Sequence, residues 1–416
     1  MRQKSLLGII ILSYILLSST VGIQASVKSI QEKDPFSIIL MIGDGMGFEQ
    51  VKLARWVEKG VEGQLDMETL PYSANVTTNS LDSTPTDSAA AATAIATGNK
   101  TENGFVSMTP ERETLKTILE YAVELGKSTG IITTTQVYHG TPATFYSHMR
   151  SRNLYLDIVN QLTNESKVDL VLGGGQAEFK QESITSMIEK GYSYVEDRQS
   201  LSNVENSKVL GLFAHENIPN VQDRNKTLTP SLVEMTEKSL EILSQDNDGF
   251  FLMVEGGLID WSSHANNIFN TALETIEFNE AVRAAFSYAQ NHSNTLLIVT
   301  ADHETGGLTI VSEALNTTLP FPLNNTEENG ALRLLRAGQI NCLWEGTSHT
   351  AADVPFFGFG DSLANYNGKT IDNTEIFSMM YDHFYSDQAS STPGFWIGTS
   401  WIILIFFYIY RKSHRS

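Results

Sequence analysis

Residues of the types that bind divalent metals recur where short β-branched runs end in this chain of 416 residues. Asp44, Glu255 and Asp302 each follow such a run, and His303 comes directly after Asp302. Imidazole nitrogens and carboxylate oxygens are zinc ligands, and magnesium prefers oxygen ligands. Further residues of these types are His139, Thr141, Asp260, His264 and His349. The pattern predicts metal-assisted chemistry at a point where several strands end.

Two short segments have both a chemical and a purely structural interpretation. Asp260 and His264 are four residues apart, so a helical backbone would place them on one face, where they could bind one metal or simply be surface residues. Asp87-Ser88 precedes an alanine-rich run, where the serine could be a nucleophile or the aspartate could only cap a helix. His349 could likewise be a buried histidine bonded to a carbonyl. The chemical interpretation therefore depends on whether the fold brings these residues together.

The elements around these residues indicate an α/β fold with a mainly parallel sheet, because β-branched runs alternate with helical patterns. The predicted strands are 37–42, 128–133, 168–172, 249–254, 295–300 and 354–359. The predicted helices are 47–58, 88–96, 115–125, 231–244 and 268–290. The more polar stretch 178–222 is interpreted as peripheral segments and not as a separate domain. Since ligands bind at the carboxyl ends of strands in such sheets, the metal-binding residues are expected along one edge.

Five segments occur in an order that resembles the alkaline phosphatase family. They are IILMIGDGMG at 38–47, DSAAAATA at 87–94, VEGGLIDWSSH at 254–264, TADHETGG at 300–307 and SHT at 348–350. The resemblance covers residues 36–385. It implies a large, mainly parallel sheet flanked by helices on both faces, with the metal site at the carboxyl ends of the strands. A homodimer, which is usual for the family, is also implied.

The resemblance implies a role for each matched residue. Ser88 corresponds to the nucleophile that becomes phosphorylated, and Arg152 to the arginine that holds the phosphoryl oxygens of the substrate. The implied metal ligands are Asp260, His264 and His349 for one zinc ion, Asp44, Asp302 and His303 for a second, and Asp44, Thr141 and Glu255 for a magnesium ion. His139 is expected just outside the magnesium site. The implied substrates are small phosphate monoesters, converted to an alcohol and inorganic phosphate through a phosphoserine.

Two departures from the family pattern concern the surroundings of the site. Trp261, next to the third metal, stands where members of the family often carry Lys or His. The segment between His303 and His349 is short and leaves little room for the crown insertion of some members. Two alternatives stay open: a phosphodiesterase or sulfatase of the same superfamily, and a catalytically inactive surface protein that binds metal or phosphate. Ser88 and a complete third site favour the monoesterase.

The charge of the chain restricts its partners. With 28 Lys and Arg against 48 Asp and Glu, the net charge is −20, which opposes nucleic-acid binding. Divalent cations bound in the site would make its local field positive, so an anionic ester is still a suitable substrate. The single cysteine, Cys342, excludes an intrachain disulfide framework.

Both ends of the chain indicate export. Residues 1–25 are interpreted as a signal peptide, with an uncleaved anchor as the alternative. Residues 386–394 are interpreted as a polar linker, 395–410 as a transmembrane or sorting segment, and 411–416 as a basic cytoplasmic tail. This end resembles the tails that sortase-like enzymes process on archaeal surface proteins. Either a retained anchor or a processed tail would put the body, 36–385, at the cell surface or in a periplasm-like space.

Overall fold

A computed structural model describes residues 35–313 and 327–391 of the chain. The segments 1–25, 395–410 and 411–416, interpreted above as signal, membrane or sorting segment and tail, lie outside the described residues. Within those residues, no helix combines the length and the apolar character needed to cross a membrane.

Ten of the strands in the described residues form one sheet, in the order β14-β2-β13-β8-β1-β7-β3-β4-β6-β5. The strands are β1 (Ser37–Ile42), β2 (Tyr72–Thr77), β3 (Ser128–Gln136), β4 (Leu170–Gly174), β5 (Ser193–Val195), β6 (Val209–Leu212), β7 (Phe250–Glu255), β8 (Thr295–Thr300), β9 (Glu304–Thr305), β10 (Leu308–Glu313), β11 (Ile340–Trp344), β12 (His349–Thr350), β13 (Val354–Phe359) and β14 (Thr370–Asp372). In this sheet only β13 runs antiparallel to its neighbours. The remaining strands form two antiparallel pairs, β10 with β11 and β9 with β12. The predicted mainly parallel sheet is confirmed.

Helices cover both faces of the sheet. They are α1 (Phe48–Lys59), α2 (Ser88–Thr97), α3 (Ile118–Glu124), α4 (Gly140–Ala143), α5 (Tyr155–Asn164), α6 (Gln181–Glu189), α7 (Arg198–Asn203), α8 (Leu232–Leu243), α9 (Leu258–His264), α10 (Ile268–Asn291), α11 (Glu327–Ala337) and α12 (Thr374–Ser391), with short 3-10 turns at Met67–Thr69, Gln176–Glu178 and Asp361–Tyr366. One group, α1, α8, α9, α10 and α11, is linked by mutual contacts, and so is a second group, α2, α3, α4 and α12. All six residues of β1 are buried, which requires a covered sheet on both sides.

The boundaries predicted from sequence hold best at the centre of the sheet. β1, β8 and β13 begin and end where the sequence predicts, because each is a short, mostly apolar segment. In the stretch 178–222, β6 and β5 are the outermost strands at one end of the main sheet, so its segments are peripheral but include two strands that the sequence did not predict. These strands have three and four residues, too few for a periodic pattern.

The polar linker assigned to 386–394 is partly helical, because α12 continues to Ser391. Small polar residues indicated a linker, but Gln388 and Ala389 have good helix propensity and the first proline comes only at Pro393.

The order of the central strands positions the predicted metal ligands. Strands β8, β1, β7 and β3 are consecutive neighbours and parallel, so their carboxyl ends lie side by side. In register, Ile42 is level with Glu255 on one side and with Thr300 on the other. The segments that leave these four strands therefore begin at one edge of the sheet.

Candidate metal centre and active site

The first group of metal-binding side chains comprises Asp260, His264 and His349, as the sequence predicted. Helix α9 presents the first two from one face, and the two-residue strand β12 presents His349. His264 Nε2 lies 3.2 Å from Asp260 Oδ2 and 3.2 Å from His349 Nε2. Both rings donate their Nδ1–H to a backbone carbonyl, of Thr347 and Thr86 respectively, because a carbonyl can only accept. The two Nε2 atoms are thereby left to face a shared ligand.

A second group surrounds His303 beside Ser88. The Nε2 atom of His303 lies 3.5 Å from Asp44 Oδ1, 3.3 Å from Asp302 Oδ2 and 3.1 Å from Ser88 Oγ. Asp302 is oriented by its other oxygen, which accepts hydrogen bonds from the backbone amides of Gly45 and His303. The structure also brings Asp260 to this group: its carboxylate, the carboxylate of Asp44 and the ring of His303 offer ligand atoms within 4.8 Å of one another. Asp260 therefore reaches both groups.

The third group contains Asp44, Glu255 and His139, whose ligand atoms also lie within 4.8 Å of one another. Thr141 is fully buried near the start of α4, and its hydroxyl has no hydrogen-bond partner among the described residues. His139 lies closer to the third metal position than the sequence interpretation placed it, since it is one of the three side chains that could hold an ion there. Trp261 is 48% exposed, and its ring centroid is 6.3 Å from that of His139.

Buried negative charge is the dominant electrostatic feature. Both carboxylate oxygens of Asp44, Oε1 of Glu255 and Oδ2 of Asp302 are buried without a hydrogen-bond partner among the described residues. Burial and neighbouring carboxylates raise the pKa of Asp44 well above its usual value, and burial, followed by the charge of Asp260, raises that of Asp302 to about 6. Burial also raises the pKa of Glu255 to about 7.

Such a set of oxygens fits divalent cations, because a cation satisfies the uncompensated charge and the missing partners together. The first group, Asp260, His264 and His349, also favours a bound positive charge. Burial alone would raise the pKa of Asp260, but hydrogen bonding from His264 and the nearby histidines hold it well below its usual value. The hydrogen bond with Asp260, against the opposing effect of burial, raises the pKa of His264 to about 8. The site thus favours positive charge at the positions where the sequence predicts metals.

Ser88 stands at the first position of α2 and is buried. Asp87 does cap this helix, as its structural interpretation predicted: Oδ1 accepts from the amide of Ala90 at 2.9 Å. The Oδ2 atom of Asp87 has a second role, because it accepts a hydrogen bond from Arg152 Nη1 at 3.0 Å. The helix N-terminus adds partial positive charge beside Ser88.

Arg152 is held from two sides. Its Nη2 donates to His139 Nε2 at 3.1 Å, and its guanidinium passes over Gly140, where a Cβ would lie 2.7 Å from Arg152 Cζ. Asp87 fixes the other end. Arg152 therefore lies between the start of α2 and the third group of ligands, with the geometry of a two-pronged anion binder.

The sequence interpretation missed a set of threonines that orient the ligands. Thr133 and Thr135 donate to Glu255 Oε2, and Thr305 contacts Asp260 and His303. A signal was present in each case. Three consecutive threonines precede the last residue of β3. Thr305 is two residues after His303, which puts both on one side of an extended segment.

The sheet is mainly parallel and covered on both faces, and a buried cluster of carboxylates and histidines surrounds a serine at its carboxyl edge. This combination of fold and site defines a metal-binding hydrolase of the α/β class. A family model described as "Alkaline phosphatase" matches residues 37–335. Alkaline phosphatase 3 of Bacillus subtilis is 33% identical over 442 residues, covering 90% of this chain and 95% of its own. The chain belongs to the alkaline phosphatase family and is a phosphomonoesterase.

Solved structures agree with this membership. The cold-active alkaline phosphatase from Shewanella sp. superimposes with a TM-score of 0.74 at 30% identity, covering 84% of this chain and 99% of the other. A variant of the TAB5 alkaline phosphatase with Mg bound in its M3 site gives a TM-score of 0.71 at 28% identity, covering 85% and 98%.

Proposed function

We propose that this phosphomonoesterase transfers the phosphoryl group of its substrate to Ser88 and then to water, with two zinc ions and one magnesium ion bound. One observation carries the proposal: Ser88 Oγ, at the N-terminus of α2, lies 3.1 Å from His303 Nε2 and beside carboxylates that lack partners. A nucleophile in that position would meet a phosphorus atom whose oxygens face cations and helix amides.

The donor types support the proposed metals. Asp260, His264 and His349 offer the mixed nitrogen and oxygen set that zinc prefers. The second zinc would be held by Asp44, Asp302 and His303, with Asp260 also in reach, and magnesium by the oxygens of Asp44, Thr141 and Glu255. When bound, these cations neutralise phosphoryl and leaving-group oxygens, favour the ionised serine and lower the pKa of a water ligand.

The chain's own residues would act in two balanced steps. Ser88 Oγ gives up its proton and forms a bond to phosphorus as the ester P–O bond opposite it breaks, and one proton is taken up by the oxygen of the departing alcohol. Arg152 would hold two phosphoryl oxygens through both transfers, because its fork matches their spacing and Asp87 and His139 fix its plane. Water then forms the new bond to phosphorus, the Oγ–P bond breaks, and Ser88 regains its proton.

The test compares hydrolysis of an aryl phosphate monoester with that of the corresponding diester by the purified full-length chain. Metal content is measured on the same sample by mass spectrometry, before and after chelation and after readdition of zinc and magnesium. We expect a strong preference for the monoester, activity that returns only with metals, and zinc in excess of magnesium. A preference for the diester would contradict the proposal, as would full activity in the chelated protein.

We also propose that the chain is exported, retained at the cell surface by residues 395–416, and dimeric. The sequence features of both termini support export, and the family resemblance supports a homodimer. Cell fractionation with mass spectrometry of the mature termini tests the first two points, and light scattering tests the third. Recovery of the intact chain in the cytoplasm would contradict export, a mature form that ends before residue 395 would contradict retention, and a monomer mass would contradict the dimer.

A further inference from the structure

One fully buried hydroxyl joins the two groups of histidine ligands. Thr305 Oγ1 donates to Asp260 Oδ1, and it lies 3.2 Å from Nδ1 of His303. Asp260 belongs to the first group, and His303 belongs to the second. Thr305 has no role of its own in the proposed reaction, and the two hydrogen-bond partners of its hydroxyl among the described residues are both proposed metal ligands.

The directions of these two hydrogen bonds follow from the chemistry of the groups. A metal-binding carboxylate can only accept, so the single hydroxyl proton of Thr305 is directed to Asp260. The same oxygen must then accept from His303, which places the ring proton of His303 on Nδ1. His303 Nε2 is left with its lone pair directed at the space shared with Ser88 Oγ, 3.1 Å away.

Thr305 is itself fixed by its backbone. Its amide donates to the carbonyl of Gly45, and its carbonyl accepts from Gln50 Nε2 at 2.8 Å. In the β9–β12 pair Thr305 is directly opposite His349. Gly45, at φ +71°, gives the hydroxyl its room, because a Cβ there would lie 2.8 Å from Thr305 Oγ1. The hydroxyl therefore has little freedom to turn away from its two partners.

We propose that Thr305 is a positioning residue that sets the ring proton of His303 and the orientation of Asp260 together, and so couples the binding of the two zinc ions. The inference rests on the proposed metal sites and adds a residue that acts only through their ligands. Carboxylate, carbonyl and hydroxyl partners of this kind commonly contribute about 10–100-fold to metal affinity.

The experiment compares Thr305→Val with Thr305→Ser in the full-length chain. Valine keeps the shape but removes the hydroxyl, and serine restores it. Zinc dissociation constants are measured by competition with a chelator, and the visible spectrum of the cobalt-substituted protein reports the ligand geometry. Thr275→Val is the matched control, because Thr275 is also fully buried in α10 and its hydroxyl donates to the backbone carbonyl of Thr271.

We expect Thr305→Val to weaken the binding of both zinc ions by about 10–100-fold and to change the cobalt spectrum, with Thr305→Ser and Thr275→Val close to the parent. Equal melting temperatures of the metal-free Thr305→Val and Thr275→Val proteins would show that folding is not the cause. Parent-like zinc constants and an unchanged cobalt spectrum in Thr305→Val would overturn the inference, as would weakened binding in Thr305→Ser equal to that in Thr305→Val. Failure of the parent chain to bind zinc would instead contradict the proposed function.

Discussion

Replacing Asp87 with asparagine separates the two tasks of this side chain. Asn keeps the oxygen that accepts from the Ala90 amide, so the cap of α2 is retained. It replaces Oδ2, the acceptor for Arg152 Nη1 and for the amide of Gly104, with an NH2 group that donates. Arg152 then faces a donor in place of a charge, and its plane is no longer fixed from that side.

The size of the effect follows from the exposure of the pair. The Arg152 and Asp87 side chains are 18% and 21% exposed at a separation of 3.0 Å, which is between a surface ion pair and a buried one. Surface pairs contribute about 0–1 kcal/mol, and loss of one partner of a buried pair costs about 3–5 kcal/mol. An intermediate value of about 1.5 kcal/mol corresponds to about tenfold in affinity. We therefore expect the inhibition constant for inorganic phosphate to rise about tenfold, with a smaller change in kcat.

Phosphate inhibition is measured by steady-state kinetics on a monoester, and thermal unfolding is followed on the same samples. The matched control is Asp197→Asn, because Asp197 caps α7 through the Ser200 amide in the same way, and its side chain bonds to Ser200 within the first turn of that helix. The control should leave phosphate inhibition unchanged. Since asparagine caps helices about as well as aspartate, both variants should unfold close to the parent temperature.

An unchanged phosphate inhibition constant in Asp87→Asn would refute the claim that Asp87 orients Arg152 for the phosphoryl group. Equal weakening in the Asp197→Asn control would show that the effect is a general result of charge removal.

Three further predictions test the site and its surroundings. Arg152→Ala should retain its metals but bind phosphate about 100-fold more weakly. The phosphate affinity of Arg152→Lys should be intermediate, since an ammonium lacks the two-pronged geometry. A phosphate inhibition constant of Arg152→Ala equal to the parent's would count against this role. Chelation should lower the melting temperature, because Asp44, Glu255 and Asp302 then lose the compensating charge; an unchanged calorimetric transition would contradict the proposed compensation. Burial, with the charge of Glu277, raises the pKa of Glu274 from 4.5 to about 8, so its contribution to stability is complete below about 4.5 and is lost as the pH rises through about 8. Urea unfolding of Glu274→Gln should therefore depend less on pH across that range than unfolding of the parent, and parallel curves would refute this.

Much of the site could be predicted because its residues follow strands that the sequence marks clearly. β1 and β8 are six-residue strands with apolar residues at most positions, and Asp44 and Asp302 come two residues after them. Once the sheet is parallel, such residues must meet at one edge. The sequence motif then supplies the partners on α9 and β12.

Other features depend on distances between segments that no local pattern encodes. The second task of Asp87 requires Arg152, 65 residues away, to reach the start of α2. The reach of Asp260 into the second group and the bond from Thr305 arise from the close approach of α9 and β9. β5 and β6 were not predicted for a different reason: strands of three or four residues are too short to show an alternating hydrophobic pattern.

The covalent intermediate is the central claim, and trapping it is the most direct test. The metal-loaded full-length chain is mixed with excess monoester, quenched in acid within milliseconds, and analysed by intact mass and peptide mapping. We predict one phosphoryl group per chain, located on Ser88, and none in Ser88→Ala with its metals retained. Phosphoryl transfer to another residue, or stoichiometric labelling of Ser88→Ala, would contradict the account.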